Sequence, residues 1–192
     1  MRYLLRAGIL ILIGMMSGCI KDPFHIDLFP IRANPGKFEC YINGQDFVPD
    51  SNKIRLAPGG PVMAYVRPWN NGNYQIIIYA STSGLSPDGR QEVGLQIQNV
   101  PGVGIYEFDD PNYQYAVYTK YPVLDSLTAA QQIQPAFYNA PKAGHGILTL
   151  TRFDPQNSVI AGTFAFSAAS KTNPADSVKV TGGHFNINYA NQ

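Results

Sequence analysis

The chain has 192 residues, with 14 Lys+Arg against 13 Asp+Glu and a formal charge of +1; 45% of residues are hydrophobic and 14% are charged. Such a length fits one domain. The balanced charge argues against the basic stripe of a nucleic-acid binder, the hydrophobic share argues against a disordered chain, and two cysteines cannot build a disulfide framework.

Met1 to Arg6 carries Arg2 and Arg6 and no acid, and Ala7 to Met16 (AGILILIGMM) is an uncharged apolar run. These are the n-region and h-region of a secretory signal peptide. Ten residues rise only about 15 Å as a helix, half of the roughly 30 Å hydrocarbon core, so the run is too short for a permanent span. It ends in Met16-Ser17-Gly18-Cys19. Small residues before a cysteine, directly behind an h-region, resemble the bacterial lipobox. That resemblance implies cleavage ahead of Cys19 and lipid on its thiol, the competing reading being an ordinary secreted protein. Each buried CH₂ contributes about 0.8 kcal/mol, so two or more acyl chains of palmitate length anchor stably. Residues 1–18 are thus expected to be a lipoprotein signal peptide. Loss of Arg2 and Arg6 leaves 12 Lys+Arg against 13 Asp+Glu, a mature charge of −1.

Residues 19–36 read as a tether, because Pro23, Pro30 and Pro35 block regular structure. Residues 37–192 read as one β domain. Phe38, Cys40 and Ile42 alternate with polar neighbours, which puts Cys40 on an apolar face as a buried free thiol. Asn43-Gly44 marks a tight turn. Further strands are expected around Ile54 and Leu56, around Val62, Ala64 and Val66, and over Tyr74 to Ala80, a run apolar on both faces. Val93, Leu95 and Ile97 mark another, and Tyr113, Tyr115, Val117, Thr119 and Tyr121 line one face of the next. Leu124 to Ile133 is the one candidate helix.

Gly146 to Phe153 reads as a strand, and Asp154-Pro155-Gln156-Asn157 as a type I hairpin turn. The returning strand puts Ile160, Phe164 and Phe166 on one face. In the last strand the apolar phase runs on Val178 and Val180, then on Phe185, Ile187 and Tyr189. The parity flips at Gly182-Gly183, which predicts a β-bulge there. About nine short strands with at most one short helix make an all-β fold, an antiparallel β-sandwich or a meander barrel.

The segments Gly146 to Asp154 (GILTLTRFD), Ile160 to Phe166 (IAGTFAF) and Val178 to Phe185 (VKVTGGHF) resemble an uncharacterised family of Bacteroidota lipoproteins. Phe38-x-Cys40-x-Ile42-Asn43-Gly44 is similar to the same family. The resemblance covers much of residues 37–190 and implies an all-β, lipid-anchored protein of the outer membrane, at its periplasmic face or the cell surface. It brings no activity and no catalytic residues.

Little chemistry is encoded in motifs. His25, His145 and His184 have no metal-ligand spacing, and no cysteine pair supports zinc, so neither a metal nor a cofactor is expected. His145 would meet His184 only if their strands paired nearby. Asp109-Asp110-x-Asn112 lacks an EF-hand pattern and reads as a solvated turn. No nucleophile elbow, zincin motif or phosphate-binding glycine loop is present. Trp69, in Arg67-Pro68-Trp69-Asn70-Asn71-Gly72-Asn73, sits at an expected hairpin tip, where an aromatic ring stacks on a sugar or anchors a protein contact. Tyr113 and Tyr115 belong to a second aromatic cluster. The alternative for both groups is core packing. Asp125-Ser126-Leu127 and Asp176-Ser177-Val178 resemble a short O-glycosylation signal of Bacteroidota envelope proteins. The expected work is non-enzymatic binding or assembly at the envelope, with a glycan or envelope-protein partner. The rivals are a lipocalin-like carrier of an apolar ligand and a glycan-binding accessory.

Overall fold

A computed structural model describes residues 37–49, 61–82, 89–108, 114–122, 135–140 and 146–191. Cys19, the tether, the strand expected around Ile54 and Leu56, and the helix expected over Leu124 to Ile133 lie outside the described residues.

The all-β expectation holds: the described residues contain twelve strands and a single turn of 3-10 helix. The count exceeds nine because four pieces are too short to show a period-two signature, namely β2 (Gln45–Phe47), β6 (Gly104–Glu107), β8 (Ala136–Asn139) and β12 (Ala190–Asn191). The longer strands are β1 (Lys37–Ile42), β3 (Val62–Pro68), β4 (Tyr74–Ser81), β5 (Gln91–Val100), β7 (Tyr115–Lys120), β9 (Ile147–Asp154), β10 (Val159–Ser170) and β11 (Ser177–Asn188).

They form one curled sheet, a half-barrel, in the order β12-β3-β4-β5-β7-β8-β10-β11-β1-β2. The curl turns at β10. Its first part, Val159 to Ala165, pairs with β9, which also carries β6, while its end, Ala169 and Ser170, pairs with β8. All pairings are antiparallel except one. β12 continues β11 past Tyr189 and pairs in parallel with Tyr65 and Val66 of β3, so two residues bridge the open side of the curl.

The expected turns and faces are present. Asn43 (φ 51°) and Gly44 (φ 81°) give the β1–β2 hairpin two left-handed residues, the requirement of a type I′ turn. Phe38, Cys40 and Ile42 are buried, as are Val93, Leu95 and Ile97. Asp154 caps its turn by accepting hydrogen bonds from the Asn157 amide N–H at 3.1 Å and from Asn157 Nδ2 at 2.9 Å. The bulge also falls where the parity change puts it. Glu39 pairs His184 but Tyr41 pairs Thr181, and Phe164 pairs Gly183 but Phe166 pairs Val180, so two residues on each neighbour face three on β11. Gly182, at φ +61°, supplies the left-handed residue.

The concave side of the curl is filled by side chains. Phe164 lies 5.1 Å from Phe38, 6.4 Å from Phe185 and 6.5 Å from Phe166 by ring centroids. Phe108 packs edge-on to Phe166, and Tyr74, Phe153 and Tyr189 close the other end. Such rings bury the largest apolar area per residue and dominate core energetics.

Candidate functional sites on the two outer faces

The inner positions being packed, the outer face of the curl is where described side chains meet solvent. On β3, β4, β5 and β7 the outward positions carry Tyr65, Tyr79 and Tyr115 and the amides Gln75, Gln96 and Gln98, beside the apolar Met63, Ile77 and Val117. Trp69 lies between the end of β3 and the 3-10 turn Asn70–Gly72; its backbone N–H donates to the Asn73 carbonyl at 2.7 Å. It is half-buried and lies outside the hydrophobic core formed by the described residues. Nearby, Asn73 Nδ2 donates to Asn99 Oδ1 at 2.7 Å, and Arg67 Nε donates to Gln75 Oε1 across the β3–β4 ladder.

Tyr115 is half-buried on β7, opposite Gln96, to whose Oε1 its hydroxyl donates at 3.0 Å. Burial raises its phenol pKa. Tyr113 lies outside the described residues. Trp69 and Tyr115 are separated by the width of β4 and β5, and among the described residues neither hydrogen bond nor ring contact joins them.

The most buried charge on this face is one that sequence reasoning missed. Glu92 is 6% exposed. Its carboxylate is paired by the Arg90 guanidinium and accepts from the Tyr121 hydroxyl at 3.1 Å. Tyr79 hydrogen-bonds to the same carboxylate. Burial, with the Glu92 charge beside it, pushes the Tyr121 phenol up to about 12, and burial and Glu92 raise Tyr79 in the same direction. Arg90 also lies over the Tyr121 ring, 5.2 Å from its centroid. The signal was present: Arg90 and Glu92 are two apart where the chain enters β5 and so share a face. The tyrosines that cover them come from β4 and from the residue after β7, which spacing alone does not reveal.

The second outer face, on β9, β10, β11 and β1, is different. A shallow groove of about 320 Å³ crosses the β10–β11 bulge, lined by Ile147, Thr149, Thr163, Ala165, Gly182 and His184 among others. His184 Nε2 stands 2.5 Å from Glu39 Oε1, and Lys37 Nζ lies 3.1 Å from the same oxygen. His25, His145, Asp109, Asp110 and Ser126 lie outside the described residues; Ser177 is exposed at the start of β11. Cys40 is buried as expected, its thiol pushed up to about 12 by burial. Among the described residues no three His, Cys, Asp or Glu side chains are placed to hold a metal.

No family model matches the chain, and no curated protein or solved structure matches it either.

Proposed function

We propose that this chain is a lipid-anchored envelope protein whose β domain works by binding at its outer surface, without catalysis. The anchor rests on Cys19 behind the n-region and h-region, and the outer-membrane assignment rests on the family resemblance of residues 37–190. The observation that carries surface binding is the packed concave side. Phe108, Phe164, Phe166 and Phe185 are each 3% exposed or less, filling the space a lipocalin-like carrier would leave for its ligand.

Two measurements test the reading. The wild-type chain is expected in the membrane fraction with a mass increased by lipid, and Cys19→Ser in the soluble fraction. A Cys19→Ser protein still in the membrane fraction overturns the anchor. Titration with a fluorescent fatty acid is expected to show no saturable binding, and micromolar saturable binding would favour the carrier instead.

A further inference from the structure

The β10–β11 bulge shapes a feature that the packed concave side does not have. Two rows of cross-strand neighbours run over it. One is Ile105–Thr149–Thr163–His184–Glu39, in register through β6, β9, β10, β11 and β1. Beside it, Ile147 pairs Ala165 on β9 and β10, and Tyr41 pairs Thr181 next to Gly182 on β1 and β11. The middle of both rows is small: Thr149, Thr163, Ala165 and Gly182. The ends are large, with Ile105 71% and Ile147 46% exposed on one side and Tyr41 48% exposed on the other. Small residues flanked by large ones make a trough, and its volume of about 320 Å³ is at the lower end of ligand pockets.

The bulge keeps the trough open and leaves an exposed aromatic ring, Tyr41, beside it. A methyl group built on Gly182 would come within 2.9 Å of Tyr41 Cδ2 and 3.1 Å of its Cε2, so one edge of the ring lies against the bare glycine, and Tyr41 is 48% exposed. The polar side chains that line it are Thr149, Thr163 and His184. No Lys, Arg, Asp or Glu lines the groove, and at its end Glu39 is balanced by Lys37. His184 Nε2 stands against Glu39, which leaves Nδ1 for a ligand hydroxyl. β10 and β11 have neighbours on both sides along the groove, so no backbone edge is offered to a peptide strand. Recognition must therefore use side chains: the exposed Tyr41 ring beside the groove, two hydroxyls and an imidazole, with no carboxylate, ammonium or guanidinium in the lining.

We infer that this groove binds a neutral saccharide, a ring stacking on Tyr41 and its hydroxyls hydrogen-bonding to Thr149, Thr163 and His184. This deepens the surface-binding reading and rests on it, but not on the lipid anchor. The full chain, purified in detergent, is run through native gels containing β-glucan, xylan, mannan, starch or pectin. Retardation by at least one neutral polysaccharide is expected. Tyr41→Ala should weaken it about tenfold, equivalent to about 1.4 kcal/mol, and the groove-filling Thr163→Trp should abolish it. Both variants must keep the wild-type thermal melt, since Tyr41 and Thr163 are outward-facing; His184→Ala, weaker but not null, is the second probe if either unfolds. Trp69→Ala should leave retardation unchanged. Absence of retardation by any neutral polysaccharide overturns the inference. So does retardation by pectin alone, or retardation lost with Trp69→Ala but kept by Tyr41→Ala. A concentration-dependent dimer broken by Thr163→Trp, without polysaccharide binding, would assign the groove to a second copy of the chain. Soluble Cys19→Ser protein that still binds separates this result from failure of the anchor.

Discussion

The outer face of β4, β5 and β7 and the outer face of β9, β10 and β11 are built on the same period-two alternation, yet they end in opposite states. The first covers itself: Glu92 lies under Tyr79 and Tyr121, paired to Arg90, and the hydroxyls of Tyr115 and Tyr121 are spent on Gln96 and Glu92. The second leaves its centre bare, because Thr, Ala and Gly occupy the outward positions and Gly182 has no side chain to close the bulge. A face that binds its own polar groups has few left for a ligand, whereas a trough with free hydroxyls does. On the proposed reading, the bulge side is the binding face, away from Trp69 and Tyr115.

The largest expected effect strikes the layer beneath the bulge. Phe164→Ala should cost about 3–5 kcal/mol in urea unfolding, because the ring is buried among Phe38, Phe166 and Phe185. A loss below about 1 kcal/mol would mean that the concave side is not packed against this ring. On the covered face, Arg90→Met leaves the Glu92 carboxylate buried without its cation. It should cost about 1–3 kcal/mol, discounted because Arg90 itself is one-third exposed. Adding Glu92→Gln should recover part of the loss in a double-mutant cycle. Additive single effects would show that the pair is not coupled.

On the bare face, Gly182→Ala puts a Cβ at φ +61° and against Tyr41, at a cost of about 1–2 kcal/mol in thermal melts. The same variant should also weaken saccharide retention. The thiol under β1 gives an alkaline signature. Cys40 ordinarily titrates near 9.0 and is held up to about 12 by burial, so its neutral form stabilises the fold below about pH 9. That contribution is lost as pH rises toward 12, and Cys40→Ala should flatten the stability–pH curve over this window. An unchanged slope would place the alkaline loss on Tyr79 and Tyr121 instead. Trp69→Ala should change stability by less than about 0.5 kcal/mol, since the ring stands outside the core. A change above about 2 kcal/mol would return Trp69 to a packing role.

Much of the inner architecture was legible. Alternation identified Phe38, Cys40 and Ile42 as core, Asn43-Gly44 as a turn, and the parity change at Gly182-Gly183 as a bulge. The short strands were not legible, because two to four residues cannot display a period. Tyr115 was singled out for its aromatic ring, but the hydroxyl proved to be committed to Gln96. The groove went unseen for a related reason: Thr149, Thr163 and Ala165 carry no motif, and what makes them a groove is being small side by side.

What the sequence by itself determined is therefore local: which residues turn, which face of each strand is apolar, and where one extra residue enters β11. These follow from dihedral limits and from the period of two, both of which act within a few residues. Which outward side chains became neighbours was decided only by the tertiary structure. Glu92 meets Tyr121 across 29 residues, and Glu39 meets His184 through the pairing of the first and eleventh strands. A period assigns a side chain to a face, but register and curl choose its partners, and partners decide whether a face is closed or free to bind.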